Sequence, residues 1–178
     1  MAKVRIGTAW LGGCSGCHMS FLDLDEKLID LADKIEIVYG PLVDAKEFPE
    51  NVDVAIIEGA IAAEEHEELI QKVRKNSKIL VALGDCAVTS NVPGMRNFVG
   101  REAATKRAYV ELAAYQPQIP GEVVSPLVKR VQPLHSHVKV DVFVPGCPPN
   151  ADRILYVVSE LLAGRMPEMI GEMATFGQ

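Results

Sequence analysis

Short apolar runs closed by turn residues alternate with amphipathic stretches along this chain, and that alternation admits few folds. Residues 3–10 (KVRIGTAW) read as a first strand, followed by a glycine-rich turn over 11–17. Residues 18–33 then place Phe21, Leu22, Leu24, Leu28, Ile29 and Leu31 at the three- and four-residue spacing of a helix. A second strand covers 35–39 and stops at Gly40-Pro41. A third, 52–57 (VDVAII), has the unbroken apolar core of a strand buried on both faces. The helix expected at 64–75 opens with acid and closes with base, as its dipole favours. A fourth strand is expected at 77–83 and a fifth at 138–144. The last helix follows Pro148-Pro149, with Asn150 or a neighbour as its cap, and runs to about residue 163, ahead of Gly164. The expectation is an α/β fold, a flavodoxin-like doubly wound parallel sheet.

The stretch 90–137 breaks this rhythm. It offers one Ala-rich helical segment, 102–115, then Pro117, Pro120, Pro126 and Pro133 with little periodicity. It reads as a long insertion before the last strand that packs on a partner chain. The whole of 1–178 reads as one domain, since 178 residues bury a sizeable core without covalent staples.

Composition removes several classes of function. Lys and Arg total 18 against 24 Asp and Glu, a net charge of −6, which argues against nucleic-acid binding. The longest apolar runs reach only about eight residues, so no membrane span is expected. The first residues lead straight into a strand without a signal core or twin arginine, the pattern of a cytoplasmic protein. In that reducing compartment four cysteines read as ligands or catalysts rather than disulfides.

Each cysteine stands just after an expected strand. Cys14 and Cys17 follow the first, Cys86 the fourth and Cys147 the fifth. Loops at the carboxyl ends of parallel strands share one edge of the sheet, so the four thiols should converge there. Gly12, Gly13, Gly16, Gly84 and Gly146 let backbone approach the sulfurs closely. Four thiolates in such loops suit an iron–sulfur cluster. Zinc also takes four cysteines, but its structural sites usually pair two doublets, and here only Cys14 and Cys17 form one. A C-x-x-C that opens a helix after a strand also fits a dithiol oxidoreductase, leaving Cys86 and Cys147 unexplained or simply buried. These readings stay open on spacing alone.

Trp10-Leu11-Gly12-Gly13-Cys14-Ser15-Gly16-Cys17-His18, Gly84-Asp85-Cys86-Ala87 and Val144-Pro145-Gly146-Cys147-Pro148-Pro149 resemble the small subunit of nickel–iron hydrogenases. The soluble NAD-reducing type is the most similar, and the cluster-bearing complex I subunit is related. The resemblance implies that Cys14, Cys17, Cys86 and Cys147 hold one proximal [4Fe–4S] cluster beside the Ni–Fe centre of a hydrogenase large subunit. It also implies that electrons leave to diaphorase subunits carrying Fe–S clusters and flavin. The complex I subunit has adjacent cysteines in its first motif, whereas Cys14 and Cys17 are separated by two residues, which favours the hydrogenase. Longer hydrogenase small subunits carry two further clusters and an export signal. With no fifth cysteine and no signal in this sequence, a single cluster is expected.

Other residues fall near the same edge. Glu58 ends the third strand and could order a cluster loop through backbone N–H groups or relay a proton; the plain alternative is a loop acid. His18 follows Cys17 and could donate to a sulfide or simply start the helix at an interface. Asp85 and Ser15 stand where they could hydrogen-bond around the ligands. His135 and His137 lack companion ligands, and the acidic run 64–68 reads as a solvated helix start. FMN is not expected: the first loop spends its positions on cysteine, leaving only Thr89, Ser90 and Asn91 as phosphate donors.

Overall fold

A computed structural model describes residues 2–177. Its centre is a parallel sheet of β1 (Val4–Trp10), β2 (Ile35–Tyr39), β3 (Val52–Glu58), β5 (Ser77–Leu83) and β7 (Val142–Val144). The strands lie in the order β2-β1-β3-β5-β7, the doubly wound arrangement expected of a flavodoxin-like fold. The short β4 (Ile61–Ala63) lies outside this sheet.

The unbroken apolar strands follow from burial on both faces. Successive side chains point to opposite sides, so Val54 and Ile56 enter one core while Ala55 and Ile57 enter the other. Val81 and Leu83 divide from Leu80 and Ala82 in the same way. On the first face pack α1 (Gly16–Leu22), α2 (Glu26–Leu31) and α7 (Ala151–Leu162), through Phe21, Leu31, Ile154, Val157 and Val158. On the second lies α3 (Glu64–Asn76), with Ile70 and Val73. Each fully buried Ile or Leu contributes about 1.5–3 kcal/mol relative to exposure.

Some expected elements change shape. The helix expected over 18–33 begins earlier and breaks into α1 and α2, because the chain turns at Asp25, where φ is +49°. The strand expected over 138–144 shortens to β7, since Leu134–Ser136 form a 3₁₀ turn that buries Leu134 in the second core. Asn150 does cap the last helix, accepting from Arg153 N at 2.8 Å, and Gly164 follows it with φ +73°.

After α4 (Asp85–Thr89) the insertion opens with α5 (Asn91–Gly94) and continues through α6 (Arg101–Lys106) and β6 (Leu127–Gln132). The helical segment expected at 102–115 ends sooner, passing into a wider turn over Arg107–Glu111. Strand β6 pairs antiparallel with β4, which local patterning did not announce. Side chains supply much of the docking. Asn97 both donates to Val131 O (2.9 Å) and accepts from Val131 N (2.8 Å), while Arg96 and Arg101 donate to Val128 O and Leu127 O. The insertion also completes α3, whose first N–H groups donate to Pro126 O (2.9 Å) and Ser125 Oγ (3.1 Å). Among the described residues no helix is long and apolar enough to cross a membrane.

Candidate metal centre

The loops after β1, β5 and β7 meet at the carboxyl edge of the sheet. Backbone bonds weld them together: Gly84 N donates to Val144 O (2.7 Å) and Asp85 N to Gly146 O (2.9 Å). The loop after β1 is tied to the β3–β4 turn by Gly12 N to Ala60 O (2.9 Å) and Ala60 N to Gly12 O (2.8 Å). This welding brings the four expected cysteines together. Each of the other three thiols acts electrostatically on Cys17, which requires all four to lie within reach of one another. None is paired in a disulfide.

Close backbone approach is concrete at Gly84. A Cβ built there would stand 2.2 Å from Cys17 Sγ, and φ is +82°, so both space and conformation demand glycine. At Gly16 a Cβ would stand 3.2 Å from Cys14 Sγ. Ser15 and Ser90 adopt left-handed backbone beside the cysteines, with φ +65° and +71°.

Cys17 is buried, Cys86 half-buried, and Cys14 and Cys147 are exposed. Burial pushes the Cys17 thiol far up, and the Glu58 carboxylate and the other thiols add to the shift. Burial also raises Cys86, while the Val92 N–H, which donates to it, acts the other way. Asn91 Nδ2 donates to Cys147 Sγ at 3.4 Å. A dithiol oxidoreductase would use only Cys14 and Cys17 and leave Cys86 and Cys147, gathered beside them, without a role. Four unpaired thiols gathered in one place fit a ligand set instead, because bound iron compensates the thiolate charge and releases the protons. Among the described residues no three His, Cys, Asp or Glu side chains stand close enough together to hold a single metal ion. Two buried polar atoms in the same loops, His18 Nε2 and Ser90 Oγ, have no hydrogen-bond partner. The donor set, the glycine cradle and these atoms all fit an iron–sulfur cluster.

Glu58 sits beneath the first cysteine loop with 2% of its surface exposed. Its Oε2 accepts from His18 N (2.9 Å) and contacts His18 Nδ1 (2.6 Å). The carboxylate therefore braces the first turn of α1. His18 is buried, with the Trp10 ring edge-on at 5.3 Å. Asp85 is also buried, and its Oδ1 accepts from Gly146 N (2.6 Å). Ser15 flanks α1 without a side-chain cap. His135 packs edge-on to Phe143, and His137 Nδ1 lies 3.8 Å from Glu67 Oε1, so neither is drawn into the thiol group. Arg153 is a residue of this region that local patterning does not single out. Its one signal is a cation on the same helical stripe as Ile154, Val157 and Val158, and it is buried to 5% exposure.

Comparison with known proteins gives a consistent result. The family model described as "NADH ubiquinone oxidoreductase, 20 Kd subunit" matches residues 14–161. The chain is 40% identical over 168 residues to a vhu F420-non-reducing hydrogenase subunit of Methanocaldococcus jannaschii, covering 93% of this chain and 58% of that protein. It thus spans less than three fifths of the length of that relative. It is 38% identical over 168 residues to the NAD-reducing hydrogenase HoxS subunit delta of Cupriavidus necator, covering 92% of this chain and 80% of that one. Among solved structures, a chain of an NAD+-reducing [NiFe]-hydrogenase in the H2-reduced state superposes with TM-score 0.93 at 36% identity. That match covers 98% of this chain and 99% of the other.

Proposed function

The chain belongs to the family of the NADH ubiquinone oxidoreductase 20 kDa subunit, and on that footing we propose that it is the electron-transfer small subunit of a cytoplasmic nickel–iron hydrogenase. In this reading residues 1–178 work as one domain that holds a single proximal [4Fe–4S] cluster through Cys14, Cys17, Cys86 and Cys147. The domain stands between the Ni–Fe site of a large subunit and a diaphorase module that reduces NAD. One observation carries the reading: four unpaired cysteines from three strand ends gather on one sheet edge. When bound, a [4Fe–4S] cluster takes up and passes on electrons one at a time.

The residues of the chain provide the setting. The four thiols ligate, with Cys17 held on the buried side and Cys14 and Cys147 on the exposed side. Asn91 Nδ2 and the Val92 N–H donate to sulfurs, which stabilises the more negative reduced charge. Glu58 fixes the start of α1, so Cys17 does not shift as charge changes. The insertion leaves Val92, Met95, Phe98 and Val99 exposed in the stretch that follows Cys86, and we assign that face to the large subunit.

Anaerobic purification from the native host, with iron, sulfide and nickel counted, tests the reading. About four iron and four sulfide per chain are expected, with nickel on a co-purifying larger subunit. Cys86→Ser should stay folded, lose most of that iron and abolish hydrogen-dependent NAD reduction. Metal-free protein running alone with a reducible Cys14–Cys17 pair, or normal turnover by Cys86→Ser, would overturn it.

A further inference from the structure

After α7 the chain doubles back as residues 165–177, with only one 3₁₀ turn at Gly171–Ala174. Two buried ionic side chains hold it. Arg153 Nη1 donates to Pro145 O (2.6 Å) and to Thr175 O (2.9 Å), and its Nη2 donates to Glu172 O (2.7 Å). Asp85 uses one carboxylate oxygen for Gly146 N (2.6 Å) and the other for Gly177 N (2.9 Å). Both side chains are only 5% exposed. Each thus joins the returning segment to Pro145 or Gly146, the two residues before Cys147, and Asp85 itself precedes Cys86.

Packing adds Met169, which lies against the first core. A cavity of about 350 Å³ remains between the segment and the edge strand, with Met169 and Phe176 on one side and Val142 and Phe143 on the other. A segment held by charge-assisted bonds over a cavity can detach without unfolding the sheet beneath. The loop after β1 has no such attachment, being braced from within the sheet by Glu58.

We propose that residues 171–177 form a strap that sets the Cys86–Cys147 half of the metal centre, with Asp85 and Arg153 as positioning residues acting through Pro145 and Gly146. The proposal rests on the cluster-binding reading only for its effect on iron; the strap itself is a property of the chain. With the strap seated, Gly146 is held and Cys147 keeps its place opposite Cys86. With it released, the loop before Cys147 gains freedom and iron leaves from that half first.

Gly177→Pro isolates the effect. It removes the N–H that donates to Asp85, and proline cannot adopt the φ of +72° found there, yet the Asp85–Gly146 bond is untouched. In the metal-free chain, amide exchange at Gly146 should quicken about tenfold, as loss of a charge-assisted bond implies. In the reconstituted protein, chelator should remove iron faster by a similar factor, and the electron paramagnetic resonance of the reduced cluster should broaden. Asp85→Asn should do the same by setting an amide against the Gly177 N–H, and the double variant should be no worse than the worse single one. Exchange at Gly146 within about twofold of the parent in Gly177→Pro would overturn the strap, whatever the iron does. If the parent chain takes up no iron, the cluster reading fails while the exchange result still decides the strap.

Discussion

The two ends of the central sheet follow opposite design rules although the same strands connect them. At the amino end polar groups are closely paired. Arg5 N and Lys78 Nζ share the Asp53 carboxylate (2.8 and 2.7 Å), and Arg5 Nη1 donates to Glu50 O and Asn51 O. Arg74 binds Asp141 (2.5 Å) together with Ser77 O and Lys78 O, and Leu80 N donates to the same carboxylate. At the carboxyl end the backbone takes positive φ at Ser15, Gly59, Gly84, Ser90 and Gly146, against Asn51 (φ +59°) at the amino end, and buried atoms of His18 and Ser90 lack partners. The difference teaches where this fold keeps stability and where it keeps its site. The amino end closes the sheet with satisfied charge, while the carboxyl end accepts strain to bring thiols and backbone together.

The sharpest way to break that contrast is Gly84→Ala. Its methyl would sit 2.2 Å from Cys17 Sγ in a left-handed backbone, so the proposed cluster should be lost almost entirely. Stability should fall by about 1–3 kcal/mol, read as a shifted urea midpoint. Full iron content in this variant would show that the carboxyl end is not built around close approach.

Asp141→Asn probes the other end, with a smaller effect of a different kind. Burial raises this carboxyl, but the Leu80 N–H, Arg74 and Lys139 outweigh it and hold its pKa below the usual carboxylate range. The variant should lose about 1–2 kcal/mol at neutral pH while keeping its iron. Because the folded-state pKa is the lower one, the carboxylate's contribution is complete above the unfolded value. It fades as pH drops through the folded value, so parent and variant should converge in acid. A difference that persists or grows in acid would contradict the pairing; lost iron would mean that the two ends are not separable. The least effect is expected from Lys78→Ala, whose amino group is mostly in water: about 0.5 kcal/mol or less, vanishing in salt. A larger loss in urea titration would place Lys78 among the residues that close the sheet.

Much of this was legible in the sequence. The apolar runs of β1, β3 and β5 announce themselves because strands buried on both faces need apolar residues at every position. The edge that collects Cys14, Cys17, Cys86 and Cys147 follows from parallel connectivity alone. Glu58 was legible by position as the last residue of a strand, and its bond to His18 N is the kind expected. The break between α1 and α2 was not, because the apolar spacing continues across Asp25 while the backbone does not. Nor was the β4–β6 pair, since Leu127–Gln132 alternates poorly and is held by Asn97, Arg96 and Arg101 from distant positions.

By itself the sequence determined the layer order and the edge of the sheet at which the four thiols gather, because periodicity and strand ends are local properties that topology converts into place. Only the tertiary structure decided that Glu58 turns inward to His18, that Asn91 points at sulfur, and that Arg153 and Asp85 fasten residues 171–177 across the Cys147 loop. Those contacts join residues up to 92 positions apart. A charged residue carries no local sign of which distant backbone group it will meet, so burial and pairing had to be supplied by the folded chain.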